Sequence, residues 1–443
     1  MKEKAKGQYK ERKKNWRELK ASPEEIKQML EERVLLRLNE VRGRPEVHYL
    51  SKGPVIGKNE LGLLSIFGGE GGVTDGYENL SDRDVNSLWV ELSKEKQVLM
   101  QDLRFVLGSD FVPKYHPFRF YLDNLPRWTE DQDDAIMGLA LTVNVKGGAE
   151  EQVLFYQYLK KWLVAMVASW VDSAVVNQTM LVLIGPQGAY KTTWFQNLLP
   201  PQLQNYFYTK TNSGILSKDD MIVLAEYGLV CWEELDSMLA KEMNKLKAAM
   251  TMKTVNERAA YAHYHESRPR IASFCGTGNN LQFLSDTTGT RRWLPFEVES
   301  IESPLTTPFD HDAIYSQAYA LYKQGFQYWF SSKEIAQLQK RNAYFETSCS
   351  EFELIDEHFQ KPSSEKDGEY LSAVVILQMI GGTVMKDITT VKLGRALTQM
   401  GFDYKTIHGV RRYHVVRRTP GEIEARRQQP CVEEQGGEGV EVW

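Results

Sequence analysis

The chain has little cysteine: Cys231, Cys275, Cys349 and Cys431 are the only four in 443 residues, and they lie far apart. No CxxC pair and no cysteine–histidine spacing suited to zinc occurs, which excludes a disulfide-stapled scaffold and a zinc module. A reducing compartment is therefore expected. Cys231 and Cys275 fall in apolar runs, where a thiol acts as a small hydrophobe. Long apolar runs are also lacking. The longest, 162–171, is too short to span a bilayer, so no membrane partner is expected. The basic N-terminus is not followed by the apolar stretch of a secretory signal, and a cytoplasmic location is expected. Neither an internal repeat nor a low-complexity tract stands out before the Gly/Glu-rich last residues. What remains has an ordinary globular composition, long enough for about three domains.

The net charge of −5 is small, but its placement is uneven. Lys2, Lys4, Lys6, Lys10, Arg12, Lys13, Lys14 and Arg17 crowd residues 1–20, which are expected to form a basic flexible tail. Arginines crowd the C-terminal part from Arg411 to Arg427. Such patches meet phosphate backbones or are simply solvated, and charge alone does not decide between these readings.

Met180–Ile184 is a continuous apolar run of the kind buried on both faces of a sheet. It is followed by Gly185-Pro-Gln-Gly-Ala-Tyr-Lys-Thr-Thr-Trp194, a glycine-containing turn leading into a helix. Strand, glycine loop, Lys-Thr and helix is the phosphate-binding loop pattern. Gly185, Gln187, Gly188, Ala189, Tyr190, Lys191, Thr192 and Thr193 are the expected nucleotide contacts. Lys191 would reach the β- and γ-phosphates, and the Thr192 hydroxyl would sit on Mg²⁺. Tyr190 departs from the pattern, which has glycine before the lysine; a side chain there narrows the backbone angles open to the loop. An ordinary strand–turn–helix with an exposed lysine is the plain alternative.

Three later segments fit the same site. Gly228–Asp236 is an apolar strand ending in acids; Glu233 is assigned to the metal and Glu234 to the attacking water, with Asp236 in reserve or capping the next helix. Arg270–Asn280 is a strand ending in Asn-Asn, and Asn279 is the expected contact to γ-phosphate or water; an Asn-rich turn is the alternative. Arg291 and Arg292 precede a fourth strand and are the candidates for γ-phosphate contact, one of them structural because strand neighbours point to opposite faces. Between the acidic and Asn strands, cations interleave with aromatics. Lys253, Arg258, Tyr261 and His263 suit single-stranded nucleic acid, against an exposed hairpin with a solvated face.

The flanks are less specific. Ser22-Pro-Glu-Glu and Ser81-Asp-Arg-Asp start capped helices, and 34–41 and 46–50 pattern as strands. Residues 111–126 read as extended, and 152–176 as a long core helix. A unit over 366–419 patterns as a helix over Tyr370–Ile380, a second helix over Thr389–Met400 and a two-stranded wing over Tyr404–Val416, which suggests a winged helix. There Lys392 and Arg395 would enter a groove and Arg411 and Arg412 would touch phosphates; a protein-docking module is the alternative.

Taken together, Gly185–Trp194, Trp232-Glu-Glu-Leu-Asp, Leu246-Lys-Ala, Glu257-Arg-Ala-Ala-Tyr, Ser273–Asn280 and Thr288-Gly-Thr-Arg-Arg-Trp resemble the virulence-associated protein E family, itself similar to superfamily 3 helicases. The resemblance covers about 150–300 best. It implies an α/β fold: a P-loop, AAA+-like (superfamily 3 helicase-type) three-layer core, with an α+β N-terminal region and a C-terminal winged-helix-like domain. The expected divisions are 1–20 (tail), 21–125 (accessory α+β), 126–305 (ATPase), 306–360 (helical linker), 366–419 (winged helix) and 420–443 (disordered tail). The resemblance also implies ATP and Mg²⁺ as cofactors, a sensor role for Asn279, and an arginine finger at Arg291 or Arg292. Implied partners are single-stranded or forked DNA, further copies of the chain in a hexameric ring, and a separate primase. The expected function is an ATP-hydrolysing helicase or translocase in replication of a phage or other mobile element. The alternative is a nucleotide-binding switch or scaffold in phage–host conflict; a small-molecule P-loop kinase fits the basic hairpin and arginine pair less well.

Overall fold

The computed structural model describes residues 20–50, 76–210, 218–257, 266–284, 289–346, 350–362, 364, 367–380, 389–407 and 409–428. Of the tail expected over 1–20, residues 1–19 lie outside them. The chain divides into two compact units, with the boundary between Phe345 and Glu346.

The first unit begins with a four-stranded sheet in the order β3-β2-β1-β4. Its strands are β1 (Val34–Asn39), β2 (Arg44–Tyr49), β3 (Glu78–Asn79) and β4 (Lys114–Tyr115). Helix Pro23–Glu31 starts on a capping box between Ser22 and Glu25, and helix Asp82–Leu92 on one between Ser81 and Asp84. Ile26, Leu30, Leu92 and Leu103 fill the small core beneath. The extended reading of 111–126 is corrected: it holds β4 and then helix Pro117–Asp123. Pro117 opens that helix, and His116 Nδ1 accepts from the Arg119 N–H at 3.3 Å. Burial, with Arg119 beside it, pushes His116 down to about 4, so its ring stays neutral and its nitrogen free to accept. The unfolded chain thus binds a proton between about pH 6.5 and 4 that the folded chain refuses, and stability falls as pH drops through that window. His116→Asn, which keeps a cap acceptor but does not titrate, is expected to remove on the order of 2 kcal/mol of that acid destabilisation in urea melts.

The large sheet has six strands in the order β5-β12-β6-β11-β8-β7. In chain order they are β5 (Val143–Val145), β6 (Met180–Ile184), β7 (Phe207–Lys210) and β8 (Leu229–Trp232). The hairpin β9 (Thr254–Glu257) and β10 (Glu266–Pro269) intervenes before β11 (Ser273–Gly278) and β12 (Trp293–Ile301). β12, β6, β11, β8 and β7 run parallel, and β5 closes the edge antiparallel to β12. Side chains alternate between two cores: Leu181 and Leu183 enter one, Met180, Val182 and Ile184 the other. Both faces are covered, so β6 is apolar throughout.

Helix Gly148–Val171 lies under one face. It is stitched to the sheet by Trp162 Nε1–H donating to the Phe274 carbonyl (3.0 Å) and Trp170 Nε1–H to that of Gly228 (3.1 Å). Helices Lys218–Glu226 and Ala240–Thr251 contribute Leu224, Met243 and Leu246 to the other core. Cys231 and Cys275 sit side by side on β8 and β11, buried and without a disulfide, as small core residues. Among the described residues no helix is long and apolar enough to cross a membrane.

The second unit carries β13 (Phe359–Gln360), β14 (Glu369–Ser372), β15 (Tyr404–Ile407) and β16 (Val410–Arg417), with helices Ser350–His358, Ala373–Met379 and Thr390–Gln399. The helical reading of 370–372 is corrected. These residues pair with β16 as a strand, and the helix starts only after Ser372, whose hydroxyl caps it. β15 and β16 form the antiparallel pair around Gly409. The disordered reading of 420–428 is also corrected: Thr419 and Glu422 make a capping box and Pro420–Gln428 is helical.

Candidate functional site

β6 delivers Gly185 to the C-terminal edge of the large sheet, where its N–H donates to the Gly278 carbonyl at 3.2 Å. A side chain at Gly185 would place its Cβ 2.9 Å from the Val298 carbonyl, so the loop can leave the sheet here only with glycine. The loop doubles back through Gly188 and Tyr190, both left-handed, into helix Lys191–Gln196. Tyr190 holds φ 57° and ψ 16°, the angles a glycine would supply, and keeps its ring exposed. Lys191 is buried and crosses the loop. Its ammonium donates to the carbonyls of Gly185 (2.8 Å) and Pro186 (2.7 Å), closing Gly185–Lys191 into a ring. Burial lowers its pKa, and Asp236 nearby opposes that shift.

β8 ends at Trp232, level with Gly276 of β11 and hence with Val182 of β6. Glu233 and Glu234 follow at the same edge of the sheet as the loop. Glu233 is half-buried; its N–H donates to the Lys210 carbonyl at 3.1 Å. Glu234 is exposed and left-handed, φ 53°, its carbonyl accepting from the Ser237 hydroxyl at 2.9 Å. Tyr190 and Glu234 are the only non-glycine residues with positive φ among the described residues. Such backbone costs of order 1–3 kcal/mol each and concentrates where geometry serves function.

β11 brings Asn279 between these two tips. Its side-chain oxygen accepts from the Lys191 ammonium at 3.4 Å, and its N–H donates to Asp236 Oδ1 at 3.1 Å. Asn280 points its amide at Asp236 Oδ2 instead, at 2.7 Å. Asp236 therefore caps no helix: the next helix begins after Leu239, and Asp236 belongs to the Asn279 turn. Thr192 and Glu233 supply hard oxygen donors, the chemistry Mg²⁺ prefers, and a metal carried in on a triphosphate needs only one or two such protein ligands.

The arginine pair is elsewhere. Arg291 and Arg292 lie in the turn Thr290–Arg292 just before β12, and Trp293 is level with Met180 at the start of β6. One strand length, about 13 Å for four residue steps, separates them from the loop edge. That placement sets both arginines at the opposite edge of the sheet from the loop that carries Lys191. Arg292 folds back on the Gly289 carbonyl at 3.5 Å, and burial, with Arg291 beside it, lowers its pKa; Arg291 is exposed.

The hairpin emerges at this same far edge. Lys253 is exposed at its foot; Arg258, Tyr261 and His263 lie outside the described residues. Two buttresses that sequence reasoning missed hold its base. Arg268 reaches Glu226 (3.1 Å) and the Val41 carbonyl (3.3 Å). Arg270, fully buried, donates to the carbonyls of Met252 (2.9 Å), Met250 (3.0 Å), Asn177 (2.9 Å) and Ala272. Burial without a carboxylate partner pulls Arg270 down to about 9. A basic residue directly before a predicted core strand was the available signal for it. In the second unit Lys392 and Arg395 lie on helix Thr390–Gln399, Arg411 and Arg412 are exposed on β16, and Arg411 stacks on the Tyr404 ring at 4.8 Å.

Residues 122–347 match the family model described as virulence-associated protein E-like domain, which is half of the chain. No curated protein matches it. The chain is similar to the apo structure of the NrS-1 C terminal region, residues 305–718: 12% identity, 88% of this chain, 98% of that chain, TM-score 0.43. An A form apo structure of the same region gives 12% identity, 89% and 98% coverage, and a TM-score of 0.45.

Proposed function

This chain belongs to the virulence-associated protein E-like family, and we infer that its first unit is a P-loop ATPase of AAA+ type that works on DNA in replication of a mobile element. The observation that carries this reading is the junction at Asn279, which ties the tips of three parallel strands through Lys191 and Asp236. The Asn-bearing strand stands between the lysine strand and the acidic strand, an order in which a γ-phosphate and a water would be held by all three tips. Lys191 and the loop N–H groups would hold ATP, Thr192 and Glu233 would hold Mg²⁺ through oxygen and water, and Glu234 would orient the attacking water. Mg²⁺ would neutralise charge on the β- and γ-phosphates. The hairpin and the arginine turn, at the opposite edge, suit contacts with DNA and with a neighbouring copy. The wing of the second unit supplies a further basic surface, in keeping with a winged helix. Single-stranded DNA is expected to raise ATP turnover of the full chain; turnover indifferent to DNA of any form would refute the translocase reading.

Two predictions arise here. Arg411→Ala with Arg412→Ala is expected to weaken DNA binding and reduce the slope of log K against log salt by about 2, leaving DNA-free turnover unchanged. An unchanged slope would return the wing to protein docking. The second reading, a nucleotide-binding switch, is favoured by Tyr190 where such loops carry glycine. Tyr190→Gly removes an αL penalty of roughly 1–2 kcal/mol but adds about 0.5–1 kcal/mol of chain entropy cost, so melting should barely move. Turnover is expected within about threefold of wild type, since Tyr190 already adopts the angles the loop needs. A tenfold rise would mark the ring as a brake and support the switch.

A further inference from the structure

We propose that Asp236 is a positioning residue for the sensor Asn279, acting as a clamp between the acidic turn and the Asn turn rather than as a ligand of metal or water. The proposal rests on the ATPase reading above. Asp236 lies three residues beyond Glu233 and is carried back to the sheet by the left-handed kink at Glu234 and the short turn Leu235–Ser237. From there each oxygen is committed. Oδ1 accepts the Asn279 N–H at 3.1 Å, and Oδ2 accepts the Asn280 amide at 2.7 Å. The approach is close enough that a Cβ on Gly278 would sit 3.3 Å from Oδ1, so a side chain on the last residue of β11 would crowd the clamp.

With its N–H fixed, Asn279 presents its own oxygen toward Lys191. Both oxygens of Asp236 are used as acceptors in this arrangement, whereas Glu233 and Glu234 have no side-chain bond of this kind to the Asn turn. A shift of the acidic turn on binding a γ-phosphate would thereby be passed to the Asn279–Asn280 turn through two hydrogen bonds, one to each residue.

The test is a kcat-against-KM split in the full chain, with binding of a non-hydrolysable ATP analogue measured alongside. Asp236→Ala is expected to lower kcat by about 10- to 100-fold while analogue affinity stays within about threefold. Asp236→Asn keeps an acceptor for the Asn279 N–H with its amide oxygen, and its NH2 can donate to Asn280 once the Asn280 amide flips its own oxygen inward. It is expected to retain kcat within about threefold, because the role needs acceptors and not charge. Adding Asn279→Ala to Asp236→Ala should cost little more than the worse single variant. If Asp236→Asn is as inactive as Glu234→Gln, Asp236 is a catalytic carboxylate and the clamp is wrong. If Asp236→Ala keeps full kcat while Lys191→Ala is dead, the clamp fails and the ATPase reading stands. A wild-type chain that neither binds nor hydrolyses ATP removes both.

Discussion

Lys191→Ala is expected to abolish ATP hydrolysis, with a loss of about 10³-fold or more in kcat/KM, and to weaken nucleotide binding at the same time. The two effects have one origin. The ammonium is the buried cation at the loop, and it also holds the loop closed by bonding the Gly185 and Pro186 carbonyls. Removing it takes away charge for the γ-phosphate and leaves those carbonyls without their donor. Glu234→Gln should separate what Lys191→Ala merges. Glutamine preserves size at an exposed position, so analogue binding stays near wild type while turnover falls on the order of 10²–10⁴-fold, the usual worth of a lost general base. Turnover by Lys191→Ala within tenfold of wild type would leave the loop without a catalytic role. If Glu234→Gln is active and Glu233→Gln is not, the two acids exchange duties.

The strands of the large sheet were legible because burial on both faces writes an unbroken apolar run, as in Met180–Ile184 and Leu229–Trp232. The caps at Ser22 and Ser81 were legible because a capping box is local chemistry. Pairing is not local. Glu369–Ser372 is a strand because β16 lies beside it, and nothing within those four residues distinguishes that from a helix start. The clamp by Asp236 depends in the same way on Asn279 and Asn280, more than forty positions away, arriving from another strand. Two missed helices did carry local signals. Pro117 after a histidine cap, and Thr419-Pro with Glu422, are both ordinary helix starts. The edge on which the arginines fall was also deducible. In a parallel sheet, residues that follow a strand sit at one edge and residues that precede a strand at the other. Lys191, Glu233 and Asn279 follow theirs, and Arg291 precedes its own.

That edge assignment leads to the second large effect. Arg291→Ala is expected to reduce turnover by about 10³-fold, the lower end of what a finger contributes, although Arg291 lies at the opposite edge of the sheet from its own loop. On the ATPase reading proposed above, the arginine would serve a neighbouring copy, placed head to tail so that the far edge of one sheet faces the loop edge of the next. Arg292, half-buried and turned onto Gly289, is the anchor of the turn, and Arg292→Ala should instead lower the melting temperature. The decisive measurement mixes two dead proteins. Arg291→Ala keeps an intact loop, and Lys191→Ala keeps an intact arginine. Random co-assembly pairs a good loop with a good arginine at roughly a quarter of interfaces, so turnover should recover toward that fraction on mixing, from two inactive stocks. Recovery cannot come from either chain alone, because each lacks a different half of the site. No recovery from a mixture shown to co-assemble would place the arginine outside the reaction.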